Sequence, residues 1–414
     1  MEWKVLLGGF VFYMYQLGTH KALGVFVPFF ARELNLSEYD VGTACGIGLG
    51  VRTLLAPVWV LISDSFSPHA VTVSSGAIAS LGFVLVGFAD SWGFLSFGLL
   101  ISGIGLGLPL ISIPSMIRDQ LSDGRHDTAI SWVYIGSAVG MTLFPPIVER
   151  LIDIYGWRMT SMLMGVSCLN VSIGGMLFRQ SKAETKTEQT HDKLAKCTQL
   201  QNLLKGLSHL TGFASLTHEP IIIVYFLSFC LWGLTYTGWT LFLISYAISI
   251  GFSPRNASLF SAIGGIGTLT GRSISSLFLM QQWPSPYLQY VLLSIGSGLV
   301  LACYPITQDY WMMMFLSFLA GIFIGTPPAA CILITKDLTS NHPEFYSGAL
   351  GLQHVLQGLG IFAGGPMTGY IYDLSGNFSI AFFSLACSAL VAVLLSLINV
   401  PELRGCNREI GDGK

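Results

Sequence analysis

The sequence predicts an all-α membrane protein with twelve transmembrane helices. Of its 414 residues, 52% are hydrophobic and only 10% are charged, whereas an average soluble protein carries about 25% charged residues. A helix needs about 20 largely apolar residues to cross a bilayer. The apolar stretches here are far longer than barrel strands and do not alternate, which argues against a β-barrel. Twelve stretches define spans 1 to 12: 5–30, 40–62, 70–89, 93–116, 128–150, 157–178, 220–245, 256–280, 286–305, 309–334, 345–369 and 378–399.

The basic residues predict the orientation of the chain. With a cytoplasmic N-terminus, 13 of the 20 lysines and arginines lie on the cytoplasmic side, 4 lie outside and 3 lie within spans. Because cytoplasmic loops are enriched in lysine and arginine, both termini are predicted to be cytoplasmic. The formal net charge of −2 gives no reason to expect nucleic acid as a partner. The expected surroundings are a lipid bilayer.

A charged stretch after span 6 divides the chain into two halves of six spans. The predicted domains are an N-terminal half (1–178), a cytoplasmic linker (179–219), a C-terminal half (220–400) and a cytoplasmic tail (401–414). The later part of the linker places leucines beside lysines at helical spacing. This pattern suits a helix lying on the inner leaflet, although an ordinary solvated linker is the alternative.

The two halves also repeat each other in sequence. A proline, an aspartate and a glycine recur at intervals of 7 and 3 residues near spans 5 and 11: Pro146, Asp153, Gly156, and Pro366, Asp373, Gly376. Spans 4 and 10 share a glycine-rich frame that ends in proline, at 103–109 and 321–327. These glycines indicate close helix packing rather than a dinucleotide loop, because no strand precedes them. Paired six-helix halves, with a substrate site between them, are the architecture of a major facilitator transporter.

Three cations fall inside the predicted membrane region: Lys21 in span 1, Arg52 in span 2 and Arg272 in span 8. A charge at the bilayer centre costs about 2.5–3.5 kcal/mol on insertion scales, so such residues are candidates for function. All 22 carboxylates fall in loops or at helix ends. An interior with cations and no acid predicts a cavity that binds an organic anion. Lys21 would act as a point charge and Arg272 as a bidentate fork.

Each buried polar residue also has a structural interpretation. Lys21 could bond the carbonyls of a broken helix, and Arg52 or Arg272 could brace its helix against a carbonyl. His20 and His354 lie well inside spans 1 and 11. They are interpreted as packed polar residues, with a role as proton carriers as the alternative.

Span 1 resembles the first helix of the monocarboxylate transporter family, within the major facilitator superfamily. The run 20–26 is similar to the family's Pro-Lys-Ser step before a Val-Phe-Phe run, which places Lys21 on the family's substrate lysine. Trp3 matches only the end of the motif that opens this helix. Asp64 begins a degraded form of the superfamily's turn after span 2.

Further motif residues extend the resemblance over nearly the whole chain. The family motif that enters span 5 matches 121–140, where four of its residues are kept: Arg125, Ala129, Gly136 and Gly140. The turn before span 6 agrees fully with the family: Tyr155, Gly156, Trp157 and Arg158.

The resemblance implies a secondary transporter that moves a small organic anion, in the first place a monocarboxylate, across the plasma membrane by alternating access. It implies no cofactor or metal, and it implies an ancillary single-span glycoprotein as a partner. Amino acids, thyroid hormones and creatine are other substrates carried in this family. A transporter fold that acts only as a sensor or scaffold is a further alternative.

Two departures from the family concern charge. Family members that carry lactate with a proton have an aspartate four residues before the arginine of span 8, and this chain has Thr268 there. Arg52 is an addition, because those members carry no charge at that place. The anion site is therefore expected to be retained and the proton site to be missing. An enzyme is not expected, because the spans lack an acid, a nucleophile–base pair and a metal cluster.

Overall fold

The polypeptide is almost entirely helical where the computed structural model describes it, at residues 2–120, 126–178, 221–280, 285–339 and 346–398. The predicted linker, the predicted tail and Arg125 lie outside these residues. The described part contains fourteen α-helices: α1 (Glu2–Glu33), α2 (Glu38–Leu54), α3 (Ala56–Ser65), α4 (Pro68–Gly87), α5 (Trp92–Gly107), α6 (Pro109–Gln120), α7 (His126–Met176), α8 (Ile221–Ser249), α9 (Pro254–Met280), α10 (Pro286–Cys303), α11 (Tyr310–Gly325), α12 (Pro328–Leu338), α13 (Tyr346–Ser375) and α14 (Phe378–Ile398).

These helices account for the twelve predicted spans. Helices α1, α4, α8, α9, α10, α13 and α14 are spans 1, 3, 7, 8, 9, 11 and 12. Spans 2, 4 and 10 each consist of two helices, namely α2 with α3, α5 with α6, and α11 with α12. Helix α7 contains spans 5 and 6, which meet where Gly156 adopts φ 76° and ψ 163°. Only glycine adopts such a backbone conformation readily.

Hydropathy alone identifies fewer spans than the fold contains. Seven helices of the described part are long and apolar enough to cross a membrane, or eight with the bent pair α2 and α3. The longest covers 45 residues and therefore holds two spans. Spans 1, 8 and 11 are not among them, and these are the spans that carry Lys21, Arg272 and His354. Polar and charged residues lower the hydropathy of these three spans.

The helices pack as two bundles, and three main helix contacts join them in the described part of the chain. In the N-terminal half, α7 packs on α1 and α4, and α5 packs on α2 and α4. In the C-terminal half, α8 packs on α13 and α14, and α9 packs on α11. Between the halves, α2 packs on α13, α9 packs on α7, and α1 packs on α8. The first two contacts pair spans 2 with 11 and 5 with 8, as the sequence repeat requires.

Matching helix breaks support the repeat. Span 4 is interrupted at Leu108, between α5 and α6, and span 10 is interrupted at Thr326 and Pro327, between α11 and α12. A proline follows each break, and proline cannot continue the hydrogen bonding of a preceding helix. The glycines at the ends of spans 5 and 11 also match, because Gly376 adopts φ 65°.

One side of the molecule is closed by packing between the halves. We call it the far side, where span 1 ends and span 2 begins, and the opposite side the near side. A methyl group added to Gly42 or Gly46 of α2 would collide with the backbone of α13 at Gly365 or Phe362. At the first residues of α2, the carboxylate of Asp373 accepts hydrogen bonds from the N–H groups of Glu38 (3.2 Å) and Tyr39 (2.9 Å). Asp373 therefore caps span 2 from the other half.

The far-side contact also contains a carboxyl group with an unusual environment. Glu38 precedes the apolar stretch of span 2, and its Oε2 has no hydrogen-bond partner among the described residues. Burial, together with the negative charge of Asp373, raises the pKa of Glu38 to about 7. Tyr372 is a further titratable group of α13 that interacts with Glu38 electrostatically. A separated far side would hydrate Glu38 and return its pKa toward about 4.3.

Acidification is expected to favour the arrangement with the far side closed. The closed state holds a proton on Glu38 more tightly than an open state, so the closed-to-open ratio rises as pH falls below 7. Between pH 7.5 and 5.5 the increase is on the order of tenfold. Spin labels at Tyr155→Cys and Leu374→Cys, which are exposed on the two halves, would report the far-side distance in detergent. The distance distribution should shift to the shorter population at pH 5.5.

Glu38→Gln is the control for this prediction. The amide cannot ionise in this range, so the labelled variant should show the short distance at both pH values. An unchanged pH response in Glu38→Gln would show that another group controls the closure.

Candidate substrate site

A cavity of about 140 Å³ lies between the two halves. Spans 1, 2, 4 and 5 of one half line it together with spans 7, 8, 10 and 11 of the other. The eight spans correspond pairwise under the repeat. Arg52, Arg272, His20 and His354 are among the lining residues, so four of the residues predicted for the site meet in one cavity.

Arg272 is held in place from both halves. Its Nε donates a hydrogen bond to the carbonyl of Gly325 (3.2 Å), and its Nη1 donates to Oγ of Ser137 (2.6 Å). Gly325 ends α11 at the break of span 10, where a backbone carbonyl is released from the helix. Ser137 belongs to span 5. The broken helix thus supplies one of the acceptors that fix the guanidinium at the interface.

Arg52 is braced on one edge and unpaired on the other. Its side chain is only 3% exposed. Its Nη1 donates to the carbonyl of Gln16 (2.6 Å) and lies 3.3 Å from Oγ1 of Thr19. Nε and Nη2 are buried without a partner among the described residues. The structural interpretation of Arg52 therefore accounts for only part of its hydrogen-bonding capacity.

Aromatic side chains flank the two arginines. Phe229, Trp232 and Tyr236 stack along one face of span 7, with ring centroids 4.9 Å and 5.3 Å apart. On the other side, Tyr13 of span 1 stacks on Tyr134 of span 5 at 4.2 Å. Tyr236 lines the cavity together with Arg52 and Arg272. The cavity therefore has a cationic centre between apolar ring faces.

Lys21 is not brought into this cavity. It is completely buried, and its Nζ lies 4.3 Å from the ring centroid of Trp239 in span 7. A side chain at Gly264 of span 8 would collide with Nζ, so the ammonium lies against that helix as well. Nζ has no hydrogen-bond partner among the described residues. The predicted clamp of Lys21 and Arg272 is therefore not assembled in this conformation.

Thr268 occupies the position where an acid would lie between the two cations. It is one helical turn from Gly264, beside Lys21, and one turn from Arg272. Its side chain is buried, and Oγ1 donates toward the carbonyls of Gly264 (3.0 Å) and Gly321 (3.1 Å). The hydroxyl is thus used in packing span 8 on span 10. It leaves the charges of Lys21 and Arg272 uncompensated.

The two histidines differ in their contacts. His20 packs edge-on against Tyr236 at 5.0 Å, and its Nε2 lies 3.4 Å from Oγ1 of Thr240. Nδ1 of His354 lies 2.8 Å from the carbonyl of Leu350, one turn earlier in its own helix. That nitrogen must carry the hydrogen, since a carbonyl only accepts. His354 thus behaves as a packed polar residue with one acceptor nitrogen left over.

The motif residues that carry the family resemblance belong to the scaffold. A methyl group at Gly136 or Gly140 would meet the backbone of span 1, so these glycines set the distance between spans 1 and 5. Trp3 is 61% exposed and takes no part in the cavity. The side chains of Asp64 and Ala129 lie outside the part of the chain that can be described.

The turn between spans 5 and 6 ties three helices together. Trp157 is buried edge-on against Phe30 at 5.3 Å. Arg158 pairs with Asp90 at 2.8 Å, and its guanidinium lies over the ring of Trp157. Tyr155 is exposed. These residues stabilise the far side and do not reach the substrate site.

The aromatic wall of span 7 was not predicted from the sequence. The signal available was the spacing of Phe229, Trp232 and Tyr236 at three and four residues. In an apolar helix that spacing does not distinguish a cavity wall from a lipid-facing stripe.

The fold and the site define a transporter of paired six-helix halves. The family profile of the Major Facilitator Superfamily matches residues 5–300. A mutant of the nucleoside transporter NupG superposes with a TM-score of 0.77 at 13% identity, covering 95% of this chain and 99% of that one. The peptide transporter POT in complex with sulfate gives a TM-score of 0.72 at 14% identity, covering 97% and 95%. The chain belongs to the Major Facilitator Superfamily, and it is a multi-pass membrane transporter rather than an enzyme.

Curated relatives confirm the narrower resemblance. The chain is 25% identical to Monocarboxylate transporter 13 of Rattus norvegicus, over 98% of this chain and 90% of the relative. It is 26% identical to Monocarboxylate transporter 13 of Bos taurus, over 97% and 89%. It is 25% identical to Monocarboxylate transporter 4 of Gallus gallus, over 95% and 82%. As a secondary transporter, it acts on a small-molecule substrate within a lipid bilayer.

The geometry predicts one-sided access to the cavity. In a cysteine-free background, Thr53→Cys places a thiol in the cavity lining. Tyr39→Cys and Tyr370→Cys replace rings whose centroids lie 6.1 Å apart across the halves, and a short bismaleimide linking them should hold the far side closed. The thiol at position 53 should then react with a membrane-impermeant reagent from the near side only. Equal labelling from both sides of the locked protein would indicate a continuous pore.

Proposed function

We propose that the protein carries a small organic anion across the plasma membrane by alternating access and binds it through a carboxylate. The observation that carries this proposal is the pairing of Arg52 and Arg272 in one cavity. No described carboxylate forms an ion pair with either side chain, since the described ion pairs are Arg32–Glu33, Arg150–Asp153 and Arg158–Asp90. Buried charges need a partner, and a substrate anion would supply it.

Monocarboxylates are the first substrates to test, because the relatives are named for them. The aromatic faces beside the arginines would pack against the apolar body of such an anion. The small cavity favours a compact molecule over a large one. Amino acids, hormones and creatine-like molecules are the other classes that the family resemblance suggests.

Lys21 fits the proposal as a contact of the opposite conformation. It reaches from span 1 to Trp239 and Gly264 of the other half. Separation of the halves on the far side would remove these neighbours and expose the ammonium. With both termini in the cytoplasm, the far side is extracellular. Lys21 would then meet an anion entering from outside, and Arg52 and Arg272 would hold it before release inside.

Loss of either main cation is expected to abolish transport. Uptake of labelled monocarboxylates in oocytes should fall more than about tenfold in Lys21→Gln and in Arg272→Gln, because each loses a charge that the anion needs. Arg272→Lys should fail as well, since lysine lacks the planar fork. Arg255→Gln is the matched control, because Arg255 lies exposed at the far end of span 8. Normal uptake by a surface-expressed Arg272→Gln variant would contradict the proposal.

Transport is expected to proceed without obligatory proton symport. Thr268 cannot ionise, and its hydroxyl already contacts two carbonyls. Cells loaded with a pH dye should therefore show no substrate-dependent acidification beyond that of cells lacking the protein. The far-side pair of Glu38 and Asp373 would change the rate with pH, but not the number of protons that cross.

Proton entry that scales with the inward proton gradient would show symport and refute this interpretation. Lys21, His20 and His354 would then be the carriers to examine. Lys21→Arg distinguishes Lys21 from the two histidines as the proton carrier, because arginine keeps the charge but does not release a proton. If Lys21→Arg still binds substrate but no longer acidifies the cells, Lys21 is the proton carrier.

A further inference from the structure

We propose that the substrate carries two anionic groups and that Arg52 binds the second one, so that a short dicarboxylate is preferred over a monocarboxylate of equal length. The inference rests on the proposed function, because it concerns the same cavity and the same direction of binding. It differs from that function in assigning the two arginines to separate acidic groups.

The charge balance of the interior is the first argument. Lys21 and Arg52 are buried and Arg272 is half-buried, all at or beside the interface of the halves. The described carboxylates belong to helix ends and loops, and those in ion pairs lie at the far side. A monoanion would neutralise one of three positive charges. A dianion would neutralise two, and uncompensated charge in a low-dielectric interior is costly.

The free edge of Arg52 is the second argument. Its bonds to Gln16 and Thr19 use Nη1 alone. The unpaired atoms are Nε and Nη2, and these two form the side of the guanidinium that presents parallel N–H groups. Parallel N–H groups match the two oxygens of one carboxylate. Burying these N–H groups without an acceptor is costly. A purely structural role of Arg52 does not explain that cost, whereas a substrate carboxylate would supply the missing acceptor.

Arg272 differs from Arg52 in which edge of its guanidinium is free. It uses Nε for Gly325 and Nη1 for Ser137, so its own parallel edge is already partly engaged by the protein. The two arginines come from different halves and line the same cavity as Tyr236. A molecule with an acidic group at each end could contact both arginines. A single carboxylate could bind either the free edge of Arg52 or the partly engaged edge of Arg272.

The test compares uptake of labelled succinate and butyrate by purified protein in proteoliposomes. The two probes have equal carbon chains and differ in one carboxylate. Wild-type protein should take up succinate at least about tenfold faster than butyrate, because a site built for a group disfavours an analogue that lacks it. Arg52→Gln should lose this preference, because its succinate uptake should fall at least about tenfold and by a larger factor than its butyrate uptake. Arg255→Gln should keep the wild-type preference.

Two results would overturn the inference and leave the proposed function standing. One is wild-type uptake of butyrate that excess succinate and glutarate do not inhibit. The other is an Arg52→Gln variant that reduces both probes in equal proportion. If the protein takes up neither succinate nor butyrate, and no other mono- or dicarboxylate of a labelled panel, the inference and the proposed function are both overturned.

A binding measurement keeps the inference testable if Arg52→Gln does not fold. Thermal stabilisation of the wild-type protein by succinate should exceed that by butyrate at equal concentration, because only bound ligand stabilises the folded state. Equal or reversed stabilisation would overturn the inference. Arg52→Lys offers a second variant, which keeps the charge but loses the parallel fork and should reduce the preference for succinate.

Discussion

The charge of Arg272 has to be kept inside an apolar bundle, and much of the surrounding structure follows from that constraint. A guanidinium in such a place needs acceptors that do not come from water. The break of span 10 supplies the carbonyl of Gly325, and span 5 supplies the hydroxyl of Ser137. The helix break, the contact between the halves and the polar character of span 8 therefore all help to hold the charge of Arg272 at the interface. The glycines of spans 2 and 11 bring the backbones close enough for the interface to form.

The same residues link binding to the movement of the halves. Arg272 crosses the interface to Ser137, and Lys21 crosses it to Trp239. Separation of the halves on the far side would break the contact of Lys21 with Trp239, and separation on the near side would break that of Arg272 with Ser137. Under the proposed cycle, each conformation would expose a different cation, and an anion would find a favourable site on whichever side is open. In the proposed alternating access, the two conformations would therefore differ in which cation contacts water.

Sequence reasoning succeeded where composition and spacing are decisive. The twelve spans, the repeat and the three interior cations follow from hydropathy, intervals and the cost of burying charge. It did not predict the contacts of Lys21 with Trp239 and Gly264, because the neighbours of that residue depend on the conformation adopted. It did not identify the cap of span 2 by Asp373, since that contact joins residues more than 330 positions apart. Its repeat partner Asp153 instead pairs with Arg150, so the repeat alone would have suggested the wrong contact.

The absence of an acid beside Arg272 affects the transport cycle. With Thr268 in that place, no described carboxylate pairs with the arginines that line the cavity. Closing an empty cavity around such charge is costly, because hydration is lost and nothing replaces it. A bound anion would remove that cost, so in the proposed cycle the loaded carrier would reorient more readily than the unloaded one. Under the proposed alternating access, this difference would favour exchange of one anion for another over net uptake, since the return step would also require an occupied site.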